Sequence, residues 1–340
     1  MSATRRWDAW SCTVSVTMEG GSPDRAERVV RDLMADVDAA VSRFRDDAEL
    51  VRVARHGGRL VPASALTVEL VQVALQAARA TDGAVDPTLG GHLAALGYDA
   101  DLDVVRAAPR GRSAGTQPGR AGRPHRPSRP HRSDWPHRSD WPHRSDWPHR
   151  SDWPHRCDWR SVRVEPELRL VGVPAGVELD LGAVAKAWTA DEAAHRVHAL
   201  EGHAVLVEIG GDLALAGRPS RPWQVDVAER RGGAGTRVAV TRGGLATSST
   251  RERRWTTTDG VPAHHLLDPR TGRPADSSWR TVTVWAPSAV QANTLSTAAV
   301  VRGPEALPWL QRDDVAARVV TVAGAVEHVG GWPPETEVAA

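Results

Sequence analysis

Cysteine is scarce in this chain. There are two among 340 residues, Cys12 and Cys157. They form no CxxC pair and fit no Cys/His zinc spacing, so neither a redox dithiol nor a zinc ribbon is encoded. Cys157 stands where serine stands in neighbouring copies of a repeat, so it reads as a drifted serine rather than half of a disulfide. Single-ring aromatics are also few: one Phe and one Tyr against fourteen Trp. Charge of one sign is missing too, because 43 basic and 42 acidic side chains leave a net charge of +1. That balance gives no global reason to expect nucleic acid or an anionic membrane as partner. No apolar run reaches the roughly 18 residues of a membrane span. The first residues contain no apolar stretch of secretory length, so Cys12 does not read as a lipid anchor. A soluble, cytoplasmic protein with no membrane insertion is the expectation.

What is present is organised around one interruption. From 107 to 158 all periodicity stops. The segment begins rich in Arg, Gly and Pro and becomes an array of PHRSDW hexapeptides starting at 130, 136, 142 and 148, with PHRCDW at 154. A proline every six residues forbids a regular helix or a central strand. The array is read as a disordered or extended surface insertion with exposed Trp side chains. Two sharper readings stand beside it. Trp alternating with Arg and His offers stacking on single-stranded nucleic acid, and recurrent His offers metal ligands. The Asp that follows each Arg removes the electrostatic drive for the first.

Either side of the insertion, helix and strand periods alternate. Residues 11–19 alternate as a strand. Ser22, Pro23 and Asp24 open a helix carrying Val29, Val30, Leu33, Val37 and Val41 on one face. A second helix runs from about Ser64 to Thr81, where Asp82 and Gly83 stop it. A strand over 161–170, a helix from Ala183 to Leu200 and a strand over 204–209 follow. Further strands are expected at 222–228, 236–240, 264–267 and 280–286. Ser288 caps a helix to about Val301, and 317–329 reads as a hairpin turning at Ala323 and Gly324. There is no strict β-α-β rhythm, which predicts an α+β fold with mixed or antiparallel sheets and packed helices. The layout is one domain in two parts, 1–106 and 159–332, with a flexible tail at 333–340.

Several polar groups stand at the edges of these elements, where a scaffold can hold them for chemistry. On a helix, Asn293 and Thr297 are i and i+4, and two side-chain oxygens at that spacing can share a hard cation such as Mg²⁺. The same spacing also describes a polar stripe facing solvent. His265 ends an expected strand beside the turn Asp268 to Gly272. It reads either as a base for a hydroxyl or as a structural histidine bonded to loop backbone. His264 would point the other way. Asp180 precedes a helix start and Lys186 lies within it. Small residues between them leave room for a ligand, and Lys is apt for a diphosphate, although both can be ordinary helix charges. Gly83 to Thr88 reads as a loop around a ligand or as a helix stop.

These residues lie in an ordered set of motifs: Ser42–Leu50 (SRFRDDAEL), Asp82–Thr88 (DGAVDPT), Asp180–Lys186 (DLGAVAK), Glu208–Asp212 (EIGGD), Ala246–Ser249 (ATSS), His265–Gly272 (HLLDPRTG) and Ala286–Thr297 (APSAVQANTLST). With them the chain resembles the ApbE-like family of FAD:protein FMN transferases from Trp10 to Trp332, the insertion excepted. The resemblance implies an ApbE-like architecture and a Mg²⁺-dependent reaction. FAD is cleaved, FMN is esterified onto a Thr or Ser of an acceptor flavoprotein, and AMP is released. It implies FAD contacts from Phe44, Ala84, Val85, Asp86, Asp180, Lys186 and the backbone at Leu267. The metal would be held by the carbonyl of Ala183 with the side chains of Asn293 and Thr297, and His265 would be the base. Two positions depart from the pattern. Asn293 stands where the family usually has Asp, and Trp10 to Thr13 replaces an N-terminal Met-Gly-Thr. A FAD pyrophosphatase and a non-catalytic FAD-binding protein remain as alternatives.

Overall fold

The computed structural model describes residues 2–107, 158–229, 233–312 and 315–338. The four PHRSDW copies and Cys157 lie outside these residues. Before the insertion the elements are β1 (Ala3–Ala9), β2 (Cys12–Met18), α1 (Pro23–Val41), α2 (Glu49–Ala54), β3 (Val61–Pro62), α3 (Ala65–Ala80), α4 (Gly90–Ala95) and α5 (Leu102–Ala107). After it come β4 (Arg163–Glu165), β5 (Leu170–Gly172), α6 (Ala185–Glu201), β6 (Val205–Ile209), β7 (Asp212–Ala216), β8 (Trp223–Ala228), β9 (Gly235–Val240) and β10 (Gly244–Ser249). The chain continues with β11 (Arg254–Thr256), β12 (Pro262–His264), β13 (Leu267–Asp268), β14 (Arg273–Pro274), β15 (Trp279–Ala286), α7 (Ala289–Arg302), α8 (Ala306–Leu310), β16 (Ala316–Thr321), β17 (Val326–Val329) and β18 (Thr336–Val338).

The centre is an eight-stranded antiparallel sheet in the order β1-β2-β6-β7-β10-β15-β16-β17. β2, from before the insertion, pairs with β6, from after it, along Val14↔Ile209 to Met18↔Val205. Both parts of the chain therefore build this sheet. Strand alternation explains its two faces. Val14, Val16 and Met18 of β2 are buried with Val30, Leu33 and Val37 of α1 and with Ala190, Ala194 and Val197 of α6. Val282 and Val284 of β15 pack with Leu295 and Ala299 of α7. On the opposite face, Leu206, Leu213 and Leu245 meet Val225, Val227, Val238 and Val240 of the β8–β9 pair. Local signals set the helix ends. Ser22, Ser64 and Ser288 each accept a bond from the backbone N–H three residues on. Gly202, at φ 71°, closes α6 in the left-handed conformation that favours glycine.

The α+β fold with antiparallel sheets is as expected, and several boundaries are corrected. Residues 161–170 are not one strand. β4 and β5 pair antiparallel across a turn that puts Arg169 at φ 51°. α6 starts at Ala185 rather than Ala183, because the backbone N–H groups of Val184 and Ala185 both turn back to the Leu181 carbonyl. The 264–267 strand divides into β12, ending at His264, and β13, beginning at Leu267. The expected tail holds β18, which pairs with β9 from Thr336↔Arg237 to Val338↔Gly235. Trp159, where order is expected to resume, is 9% exposed and packs in the core. Among the described residues no helix is long and apolar enough to cross a membrane.

Candidate active site

One cavity of about 2090 Å³ opens over one face of the central sheet. All eleven residues singled out above line it: Phe44, Ala84, Val85, Asp86, Asp180, Ala183, Lys186, His265, Leu267, Asn293 and Thr297. The fold brings them from five stretches of chain.

The first wall follows the end of α1. Arg43 Nε lies 2.6 Å from Asp180 Oδ2, and the guanidinium covers the rings of Phe44 and Tyr98 at 4.4 and 4.8 Å. Tyr98 in turn stacks on Trp255 at 4.9 Å. Phe44, 42% exposed, thus presents an aromatic surface propped from behind. The loop after α3 forms the second wall. Thr81 Oγ1 accepts from Val85 N at 3.1 Å, and Asp86 Oδ1 accepts from the N–H and hydroxyl of Thr88 at 2.8 and 2.6 Å. Burial pushes the Asp86 carboxyl up, against these bonds. Asp180 N donates to the Pro87 carbonyl at 2.8 Å, which fixes this loop to the segment entering α6.

That segment is the third wall. Asp180 Oδ1 accepts from Gly182 N at 2.7 Å, and Lys186 Nζ donates to the Gly182 carbonyl at 3.1 Å. Gly182 and Ala183 lie just before α6, beside its free N–H groups, which suits an anion. Lys186 keeps part of its stem exposed along the cavity, yet its ammonium sits deep among protein groups. Burial, then the positive charge of Arg253, push its pKa below the ordinary lysine value.

The fourth wall joins α7 to β7 and β10. Asn293 and Thr297 are buried, so the stripe faces the sheet and not solvent. Asn293 Nδ2 donates to Asp212 Oδ1 at 2.6 Å. Thr297 Oγ1 is 3.4 Å from Asn293 Oδ1 and 3.0 Å from Ser248 Oγ. Asp212 is 2% exposed, and its Oδ2 is buried with no hydrogen-bond partner. Burial raises its carboxyl pKa, partly opposed by Lys186.

His265 completes the site from the β12–β13 connection. Its backbone N–H donates to the Arg253 carbonyl at 3.3 Å, and its Nδ1 is buried without a partner. Burial first, then the charge of Arg253, hold its pKa well below 6.5, so the imidazole is neutral and able to accept a proton. His264 points away, as expected. It is fully buried, with Nε2 3.3 Å from the Ala275 carbonyl and Nδ1 accepting from Leu266 N. Among the described residues no group of three or more His, Cys, Asp or Glu forms a metal cluster.

Arg43, Tyr98, Ser248 and Arg253 also line or back this cavity but escaped assignment from sequence. Arg253 Nη1 donates to the Tyr98 hydroxyl at 3.2 Å, and its charge acts on His265 and Lys186. Arg43 and Ser248 stood inside quoted motifs. Arg253 sits in an arginine-rich turn that gives no sign of which side chain turns inward.

The profile of the ApbE family matches residues 10–319. The FAD:protein FMN transferase of Treponema pallidum is 35% identical over 147 residues, 38% of this chain and 40% of that protein. The FAD:protein FMN transferase of Vibrio cholerae is 26% identical over 80% of this chain and 72% of that one. The chain therefore spans well under half the length of the Treponema relative in that match. In structure it is similar to the ApbE protein of Thermotoga maritima, with a TM-score of 0.77, 23% identity and 97% of each chain covered.

Proposed function

The chain belongs to the ApbE family, and from that premise we propose that it is a FAD:protein FMN transferase. The observation that carries this reading is the convergence of a neutral His265, Lys186 and the Asp212–Asn293–Thr297 group on one cavity that also presents Phe44. Phe44 offers a face for a flat ring system. Lys186 suits a diphosphate.

The residues fit a hard divalent cation, proposed as Mg²⁺. The donors at hand are all oxygens: the Ala183 carbonyl, Asn293 Oδ1, Thr297 Oγ1 and the partnerless carboxylate oxygen of Asp212. When bound, the cation would neutralise charge on the diphosphate. His265 accepts the proton of an acceptor Thr or Ser hydroxyl. That oxygen forms a bond to the FMN phosphorus, the phosphoanhydride P–O bond to AMP breaks, and AMP leaves with the electron pair. Lys186 stabilises charge on the leaving phosphate. The partners are FAD and an acceptor flavoprotein. A cytoplasmic site of action is part of the proposal.

The test is incubation of the protein with FAD, Mg²⁺ and a flavoprotein carrying a candidate Thr or Ser. The expected result is AMP release matched by a fluorescent flavin band on a denaturing gel. AMP and free FMN without the band would instead assign hydrolysis. Binding with no AMP would assign a FAD carrier.

A further inference from the structure

The oxygen donors offered by Asn293, Thr297 and the Ala183 carbonyl carry no formal charge. Lys186 and Arg253 already place positive charge nearby. A divalent cation held there by neutral protein oxygens alone, beside two cations, lacks the carboxylate that usually joins the substrate phosphates at such a site.

Asp212 supplies one. It begins β7, directly after the turn at Gly210 and Gly211, and pairs with Ala246 of β10, two residues before Ser248. It lines the cavity and is 2% exposed. One oxygen takes the Asn293 amide at 2.6 Å, while the other is buried and has no protein partner. A carboxylate oxygen buried without a partner is costly. Lys186 does not discharge that cost, because its ammonium bonds to the Gly182 carbonyl.

The Asn293 amide explains why a carboxylate is absent from α7 here. Its Nδ2 holds Asp212, and its Oδ1 faces Thr297. An aspartate at 293 would set two carboxylates in contact. We propose that Asp212 is the anionic ligand of the cation at this site, and that Asn293 is its positioning residue. The charge sits on β7 instead of on α7. This rests on the reading that the cavity takes a divalent cation with FAD.

The experiment is Mn²⁺ binding to the full chain in the presence of FAD, followed by the loss of the free-ion EPR signal. Asp212→Asn is expected to weaken Mn²⁺ by about 10- to 100-fold. The exchange Asp212→Asn with Asn293→Asp returns amide and carboxylate to one another's places and is expected to restore most of that loss. FAD binding without metal, read by flavin fluorescence, and the thermal melt establish that each variant is folded. If Asp212→Asn fails to fold, the exchange variant and Asp212→Glu, which keep a carboxylate, carry the comparison. Wild-type Mn²⁺ affinity in folded Asp212→Asn overturns the proposal. So does an exchange variant as weak as the single one, or a wild type that binds no Mn²⁺. Flavin transfer is scored separately: a protein that binds Mn²⁺ through Asp212 but never labels an acceptor refutes the transferase reading and leaves this one standing.

Discussion

Arg43 Nε lies 2.6 Å from Asp180 Oδ2, with the two side chains 11% and 18% exposed. The pair ties the end of α1 to the segment entering α6, and Asp180 also holds Gly182 N. Arg43 donates in addition to the Tyr98 carbonyl. Removing Asp180 strands a shielded guanidinium and frees the Gly182 turn. Asp180→Ala should cost about 3 kcal/mol of folding free energy and weaken FAD binding as well. Urea unfolding with a flavin-quenching titration measures both. A variant of unchanged stability would show that the pair adds nothing.

His265 is held neutral by burial and by the charge of Arg253. It is therefore already a base, and its task concerns the acceptor hydroxyl rather than resting FAD. His265→Ala should lower flavin transfer by about 100- to 10,000-fold with FAD affinity retained. Because the folded-state pKa lies well below 6.5, the base stays unprotonated as pH falls through that value, and the acid limb of the transfer rate should lie below it. Transfer at the wild-type rate in the variant would make His265 structural.

Preference for FAD over FMN should depend on Lys186. Its Nζ sits at the Gly182 carbonyl on the cavity wall, and an ammonium there suits a diphosphate. Lys186→Ala should weaken FAD more than FMN. Calorimetry with both flavins tests this, and equal losses would place Lys186 elsewhere in recognition.

Much of this architecture was legible from the sequence, because caps and periods are local. Ser64 at the start of α3, Ser288 at the start of α7 and the turn at Gly324 announce themselves within a few residues. β1 does not, because it is an edge strand whose residues alternate between partly buried and exposed, with none fully buried. β10 is central, but it carries Thr247, Ser248 and Ser249 toward polar neighbours, so its apolar signal is weak. Asn293 and Thr297 were recognisable as a pair one turn apart. That they face Asp212 instead of solvent follows from a contact across 81 residues, which no local pattern encodes. Arg253 is hidden for the same reason.

Asp158 N donates to Thr88 Oγ1 at 3.1 Å, and Trp159 packs against Gly83 beneath Arg160. Deletion of residues 112–156 keeps these contacts and removes a proline-punctuated segment with little periodic apolar surface. The deleted protein should keep the wild-type melting temperature and FAD affinity. By contrast, Trp159→Ala should cost about 3–5 kcal/mol, as for a large core aromatic. Loss of folding on deletion, seen by circular dichroism, would show that the array packs onto the domain.

His264 offers a stability switch separate from the chemistry. It is fully buried, and burial, followed by the charge of Arg254, pushes its pKa to about 4 from 6.5, against its bond to the Ala275 carbonyl. Between those values the unfolded chain binds a proton that the native protein refuses. His264 therefore imposes no pH penalty above 6.5. As pH falls below 6.5, it destabilises the fold by up to about 1.4 kcal/mol per pH unit. Asp86, Asp191 and Asp212 work in the opposite sense, because burial raises their carboxyl pKa values and the native state then takes up protons first. Wild-type stability alone mixes these contributions. The difference between wild type and His264→Asn isolates the histidine, and Asn can keep an acceptor near Leu266 N. Between pH 7.5 and pH 5.0, wild type should lose about 2 kcal/mol more than the variant in urea unfolding. Parallel losses in the two proteins would mean that His264 takes up its proton in the native state.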